Sequence, residues 1–252
     1  MFIFGRVFLF MRIISLVPSI TETLFDLGLS TAEIVGRTKF CIHPEDLVKK
    51  VEIIGGTKNL NIEKIKSLKP DLIIANKEEN VKGQVEELMK DFNVLLTNIE
   101  TLEDNYYLIK QLGKIFGKEE KAQPFNLKTY EAFDFKKSEK HLKVAYLIWK
   151  NPYMTIGGDT FISRILEELG FENLFRNEKR YPEIVLEDLK KADLIFLSSE
   201  PFPFKEKHIE EISRICKNQK IMIVDGEAFS WYGTHLAKCG DYYREVLKEA
   251  DK

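Results

Sequence analysis

The chain has 252 residues, with 38 Lys plus Arg against 40 Asp plus Glu and a formal net charge of -2, which gives no electrostatic reason to expect nucleic acid as a partner. Hydrophobic residues at 44% and charged residues at 31% exclude a disordered chain, and the length suits two modest α/β lobes or one large domain. The three cysteines, Cys41, Cys216 and Cys239, have no CxxC spacing, which argues against a zinc knuckle or disulfide framework and favours buried free thiols over a Cys216–Cys239 bridge.

The opening run MFIFGRVFLF is apolar but broken by Arg6, too short for a membrane span, and without the order of a signal peptide. No lipoprotein cysteine follows it, and Met11 offers an internal start. Residues 1–10 are therefore set apart as an N-terminal extension. RIISLV (Arg12 to Val17) reads as a buried strand stopped by Pro18, with Ser19 or Thr21 capping a helix that Gly28 ends. Ala32 to Gly36 predicts the next strand. Asn61 predicts a helix cap, with Pro70 beyond the helix end and Asp71 to Ala75 as a strand. A helix over Val81 to Met89 and a strand over Val94 to Leu96 follow. This alternation is the signature of a mostly parallel sheet covered by helices.

Leu102 to Lys140 breaks the rhythm and reads as one or two long helices, the later part crossing between lobes. Alternation then resumes with strands at Lys143 to Trp149, Asp193 to Ser198 and Lys220 to Val224. Helices fall at Phe161 to Leu169, Val185 to Lys190 and Ile209 to Ile215, with a terminal one from Thr234 to Ala250. NIEKIKSLKPDLIIA and VLEDLKKADLIFLS repeat one pattern, a short acidic-led helix running into an Asp-Leu-Ile strand, which suggests two related lobes.

Catalytic motifs do not emerge. His43, His141, His208 and His235 are scattered, no GxSxG, Walker or GxGxxG pattern follows a strand, and the pairs Gly55-Gly56 and Gly157-Gly158 read as isolated turn signals. What recurs is aromatic residues just after strands: Phe40, Trp149, Tyr153, Tyr181, Phe229, Trp231 and Tyr232. In open α/β sheets ligands bind outside the carboxyl ends of the strands, and rings there suit a flat or macrocyclic guest.

RIISLVPSITETLFDLGL, the HPED turn, NIEKIKSLKPDLIIA, NPYMTIGGDTFISRILEELGFENLF and YPEIVLEDLKKADLIFLS together resemble the periplasmic cobalamin and ferric-siderophore binding proteins, substrate-binding components of ABC-type uptake systems. The resemblance runs from about Arg12 to the C-terminus and is weakest near Lys118 to Lys140. It implies two Rossmann-like α/β lobes with mostly parallel sheets, joined by a single long interlobe helix, with ligand held in the cleft. It divides the chain into an N-terminal lobe at 11–117, a connecting helix at 118–140 and a C-terminal lobe at 141–252. Glu63 and Glu187 match the family's two permease-docking positions; both also suit the first turn of a helix. Ser19, Phe40 and Tyr181 match ligand-contacting places, while Thr57 and Asn76 stand where the cobalamin-binding members carry tryptophan. Arg37 and Arg180 read by default as solvated loop arginines, with contact to an anionic chelate as the alternative.

The expected protein is thus a non-enzymatic, monomeric binder of a corrinoid or metal chelate, with no cofactor of its own and an ABC-type permease as partner. Cobalamin is the first expected ligand, a ferric siderophore the second, and haem the third, held by Tyr181, Tyr153 or His235. The resemblance implies the periplasm or cell envelope. An intracellular corrinoid binder without a permease is the alternative that the N-terminus leaves open.

Overall fold

The computed structural model describes residues 11–135 and 142–252, and by internal contacts these form two compact units. The proposed extension at 1–10, Lys136 to Lys140 of the expected connecting helix and His141 at the start of the expected C-terminal lobe lie outside the described residues.

The first unit is built on β1 (Ile13–Ser15), whose three residues are all buried. Pro18 then opens α1 (Pro18–Asp26) as its first residue, with Val17 in the cap position. The expected Ser19 or Thr21 cap is therefore corrected: proline has no N–H to leave unsatisfied and its fixed φ suits the first helical position. Gly28 ends the helix with φ 86°. β2 (Ile34–Arg37), the short α2 (Glu45–Val48) and β3 (Glu52–Ile53) lead into a hairpin of β4 (Gly55–Gly56) and β5 (Asn59–Leu60). Asn61 caps α3 (Ile62–Ser67) by accepting from the Lys64 N–H, and β6 (Leu72–Asn76), α4 (Lys82–Leu88) and β7 (Val94–Thr97) follow. The main sheet is parallel throughout, in the order β3-β2-β1-β6-β7. Its helix-covered core includes Ile14, Leu16, Ile54, Ile65, Ile73 and Leu88. Burying each such aliphatic side chain contributes about 1.5–3 kcal/mol.

Two helices of 15 residues follow, α5 (Leu102–Phe116) and α6 (Glu119–Phe133). Gly117, at φ 61°, turns the chain back between them. The single long helix expected over 118–140 is not seen as one helix among the described residues, because α6 stops at Phe133. Leu108–Ala122 at the hairpin tip groups with the first unit, and Ile99–Tyr107 together with Gln123 onward groups with the second.

The second unit contains β8 (Lys143–Leu147), β9 (Tyr153–Met154), α7 (Phe161–Glu168), β10 (Glu172–Asn173) and β11 (Glu183–Ile184), then a 3-10 turn at Leu186–Lys191. β12 (Leu194–Ser198), α8 (Glu206–Ser213), β13 (Lys220–Val224) and α9 (Gly226–Ser230) come next. The terminal helix predicted as one piece is two, a 3-10 segment at Gly233–Lys238 and α10 (Gly240–Ala250). The second main sheet is also parallel, ordered β10-β8-β12-β13, with β9 and β11 pairing antiparallel beside it. The fold is mixed α/β with mostly parallel sheets, as predicted.

Candidate functional site

In the first sheet, successive strands step outward from β1 to β2 and β3, and the chain then returns to place β6 on the other side of β1. Strand order therefore reverses between β1 and β6, and the crevice for a ligand opens at the carboxyl ends of those two strands. The second sheet reverses in the same way between β8 and β12.

A polar network fixes the loops at the first reversal. Asn80 accepts from the Asn76 N–H at 2.9 Å and donates to the carbonyls of Leu16 and Thr57 at 3.2 and 3.1 Å. The Asn76 side chain accepts from the Glu78 and Glu79 N–H groups and donates to the Thr97 hydroxyl, which in turn donates to the Ala75 carbonyl. The segments leaving β1, β5's hairpin, β6 and β7 are held together with these buried groups satisfied. Thr57 and Asn76, the two positions matched above to tryptophans, are 8% and 2% exposed. Only the spacing of Asn76 and Asn80 after an apolar strand hinted at a loop-closing role.

Phe40 stands on this scaffold, 50% exposed, with its ring edge against Gly56 and the Lys39 ammonium 5.0 Å from its centroid. Ser19 lies buried in the first turn of α1, where its carbonyl accepts from the Thr23 hydroxyl. Arg37 is not the expected solvated arginine. It is buried, and its guanidinium donates to the carbonyls of Val48, Thr38 and Cys41, so it shapes the loop that carries Phe40. Cys41 is buried beneath that loop, taking hydrogen-bond contacts from Thr21 and Thr38, and burial raises its thiol pKa above the ordinary value. It is an inert structural thiol; Cys216 and Cys239 are also free and buried.

At the second reversal, Trp149 and Phe202 meet edge to face with centroids 5.8 Å apart, one following β8 and the other β12. The Phe202 N–H donates to the Ile148 carbonyl at 3.3 Å, and Trp149 pairs with Met154 in an antiparallel bridge, so both loops are pinned. Trp149 is 40% exposed. Phe202 was not among the predicted residues, although its position after an apolar strand carried the same signal as Trp149. Tyr153 donates its hydroxyl to Glu211, which also pairs with Lys150; burial, then Glu211, pushes the phenol pKa upward. Tyr181 is half-buried, with the Arg180 guanidinium 5.5 Å from its ring centroid. Its loop is held by Gly157 and Gly158, whose N–H groups donate to the carbonyls of Arg180 and Glu178. The glycine pair is thus more than an isolated turn signal: a Cβ at either position would run into that loop's backbone.

Phe229 has no exposed surface and packs among Tyr146, Phe196 and Tyr243 as a core ring. Trp231 is 7% exposed, its indole N–H donating to Glu200 at 3.1 Å. Glu63 and Glu187 are both exposed, in the first turns of α3 and of the 3-10 turn before β12. A cleft of about 620 Å³ in the second unit, lined by Tyr106, Tyr130, Phe133 and four carboxylates, includes none of the predicted site residues.

Two parallel α/β sheets, each with a reversal of strand order and an exposed aromatic on a loop that follows one of its strands, place the chain in the two-unit α/β class. The chain belongs to the periplasmic binding protein family, whose profile matches residues 13–215. It is 29% identical over 196 residues to the vitamin B12-binding protein of Vibrio vulnificus, covering 74% of this chain and 71% of that one. The periplasmic vitamin B12 binding protein BtuF of Vibrio cholerae superposes with a TM-score of 0.81 at 22% identity, covering 96% of this chain and 98% of that chain. The siderophore binding protein FhuD of the same organism, bound to Fe3+-Desferal, gives 0.74 at 20% identity over 96% and 99%. At those identities the two structures speak for the fold alone.

Proposed function

We propose that this chain is the substrate-binding component of an ABC-type uptake system, taking cobalamin or a related corrinoid, with a ferric siderophore as the second candidate. The observation that carries this reading is the placement of Phe40 and the Trp149–Phe202 pair at the two strand reversals, each on a braced loop. Rings held this way give a macrocycle large contact area at small ordering cost. The curated B12-binding relative supports cobalamin as the first choice. The buried state of Thr57 and Asn76 supports a corrinoid grip made from fewer rings.

The chain works by binding and delivery, with Glu63 and Glu187 as the contacts offered to the permease and the periplasm or cell envelope as its place of work. Titration with cyanocobalamin, ferrioxamine and haemin, followed by visible absorption and tryptophan quenching, tests the ligand. Saturable one-to-one binding of cyanocobalamin in the micromolar range or tighter is expected. Binding of ferrioxamine or haemin alone would replace the corrinoid, and binding of none would end the reading.

A further inference from the structure

Glu200 follows β12 at the carboxyl edge of the second sheet, and one of its oxygens does two jobs. Oε1 accepts from the Ser230 hydroxyl at 2.8 Å and from the Trp231 indole N–H at 3.1 Å. The neighbouring Ser199 hydroxyl accepts from the Gly226 N–H at 2.9 Å. The segment that follows β13 is thus fastened to the end of β12 at its start by Ser199 and at its finish by Glu200. The approach is close: a Cβ on Gly226 would come within 2.5 Å of the Glu200 Cγ. Trp231 then leads into the 3-10 segment Gly233–Lys238, and its ring lies 5.2 Å from His235.

We propose that Glu200 is a positioning residue for Trp231, and that gain and loss of its proton loosen and tighten the Gly226–Lys238 loop at the ligand edge of the second unit. The ligand-edge part rests on the binding-protein reading above; the loop switch itself does not.

The physical case starts from the carboxylate's acceptor strength. An ionised oxygen binds two donors about twice as strongly as a neutral one, so a proton on the carboxyl weakens both bonds without removing the acceptor. The groups facing Glu200 make that proton easier to gain. Burial raises its pKa, Glu227 and Asp225 on the β13–α9 side raise it further, and the Ser230 and Trp231 bonds oppose them. Tyr146 on β8 carries a neutral phenol, its hydroxyl donating to Ser198, and Tyr242 on α10 accepts from the Asp225 N–H. The loop itself also carries Glu227, Tyr232, His235 and Lys238, of which His235 lies beside the Trp231 ring.

Trp149→Phe leaves Trp231 as the only tryptophan, so its emission reports this loop directly. In unliganded Trp149→Phe protein the emission is expected to change in one step at a pH above the ordinary carboxylate range. Adding Glu200→Gln, which keeps an acceptor oxygen, is expected to abolish that step with the fold intact by circular dichroism. A step that persists in the Gln variant, or no step at all, overturns the proposal. A step that vanishes only with His235→Asn assigns it to the imidazole and overturns it too. In a second arm, cyanocobalamin affinity of the otherwise unaltered chain is expected to fall with protonation, by about tenfold for each unit by which ligand displaces the Glu200 titration. Glu200→Gln is expected to flatten that dependence. If cyanocobalamin does not bind, the corrinoid reading fails alone, because the fluorescence arm is read without ligand.

Discussion

Asn80 and Thr57 are joined by a side-chain amide to main-chain carbonyl bond of 3.1 Å, and the same amide reaches Leu16 at 3.2 Å. Because Leu16 leaves β1 and Thr57 sits in the β4–β5 turn, one side chain braces both walls around the first strand reversal. Asn80→Ala would leave those carbonyls and the Asn76 N–H short of a partner. A loss of about 2–3 kcal/mol in urea unfolding is expected, with an unchanged m-value. Asn76→Trp is expected to destabilise by a similar amount, since the indole has to displace three side-chain hydrogen bonds at a 2% exposed position. A folded Asn76→Trp protein with tighter cobalamin binding would show instead that the position accepts a ring.

The adjacent glycines of the β4 turn separate backbone need from side-chain clearance. Gly55 has φ 114°, and a Cβ there would strike the Asn59 carbonyl. Gly55→Ala is expected to cost about 1–3 kcal/mol by thermal or urea unfolding. A Cβ on Gly56 would meet only the Phe40 ring edge, at 3.2 Å, and the Lys39 stem, at 3.5 Å. Gly56→Ala is therefore expected to change stability by less than about 1 kcal/mol while displacing the exposed ring. A drop in ligand affinity with little change in melting temperature is the outcome that supports Phe40 as a contact. Equal stability losses for the two variants would count against this division.

What the sequence made legible follows from pattern strength. The apolar strands before Asn76, Trp149, Ser199 and Asp225 were visible because buried parallel strands are continuous hydrophobic runs, and the Asn61 cap and Gly28 stop carry local chemistry. Two-residue strands such as β3, β9, β10 and β11 carry no period and were not visible. Aromatics do follow the strands, but sequence cannot tell a ring that faces outward, as Trp149 does, from one that turns into the core, as Phe229 does. Arg37 was read as a solvated loop arginine because its partners, the carbonyls of Val48, Thr38 and Cys41, are main-chain atoms that leave no mark in the residue pattern.

That contrast between rings is measurable. Phe229→Ala removes a fully buried ring touching Tyr146, Phe196 and Tyr243, and about 3–5 kcal/mol of stability should go with it. Trp149→Leu, at a 40% exposed site, should cost far less stability and weaken cobalamin binding by one to a few kcal/mol, about 5- to 100-fold. Calorimetry with each variant reads both quantities. A Trp149→Leu protein with undiminished affinity would remove that ring from the site.

Docking is the last matter, and it turns on two carboxylates that the fold leaves in solvent. Glu63 lies in the first turn of α3, which runs into β6, and Glu187 in the first turn of the segment that runs into β12. An element that feeds a parallel strand begins on that strand's carboxyl side, so each glutamate stands on the same edge of its sheet as the strand reversal. Local electrostatics favour a negative charge there by only about 0.3–1 kcal/mol, which is small against whole-protein stability. Exposed carboxylates that meet arginines on a partner govern orientation and association rate far more than the stability of their own chain. Glu63→Arg combined with Glu187→Arg is therefore expected to lower unfolding free energy by no more than about 2 kcal/mol and to leave ligand affinity within about twofold. The same variant should lose binding to the cognate permease and stimulation of its ATPase activity, measured in proteoliposomes against the unaltered chain. Retained permease stimulation by the double variant would remove both residues from the docking surface. Loss of ligand binding or of the fold would make them structural.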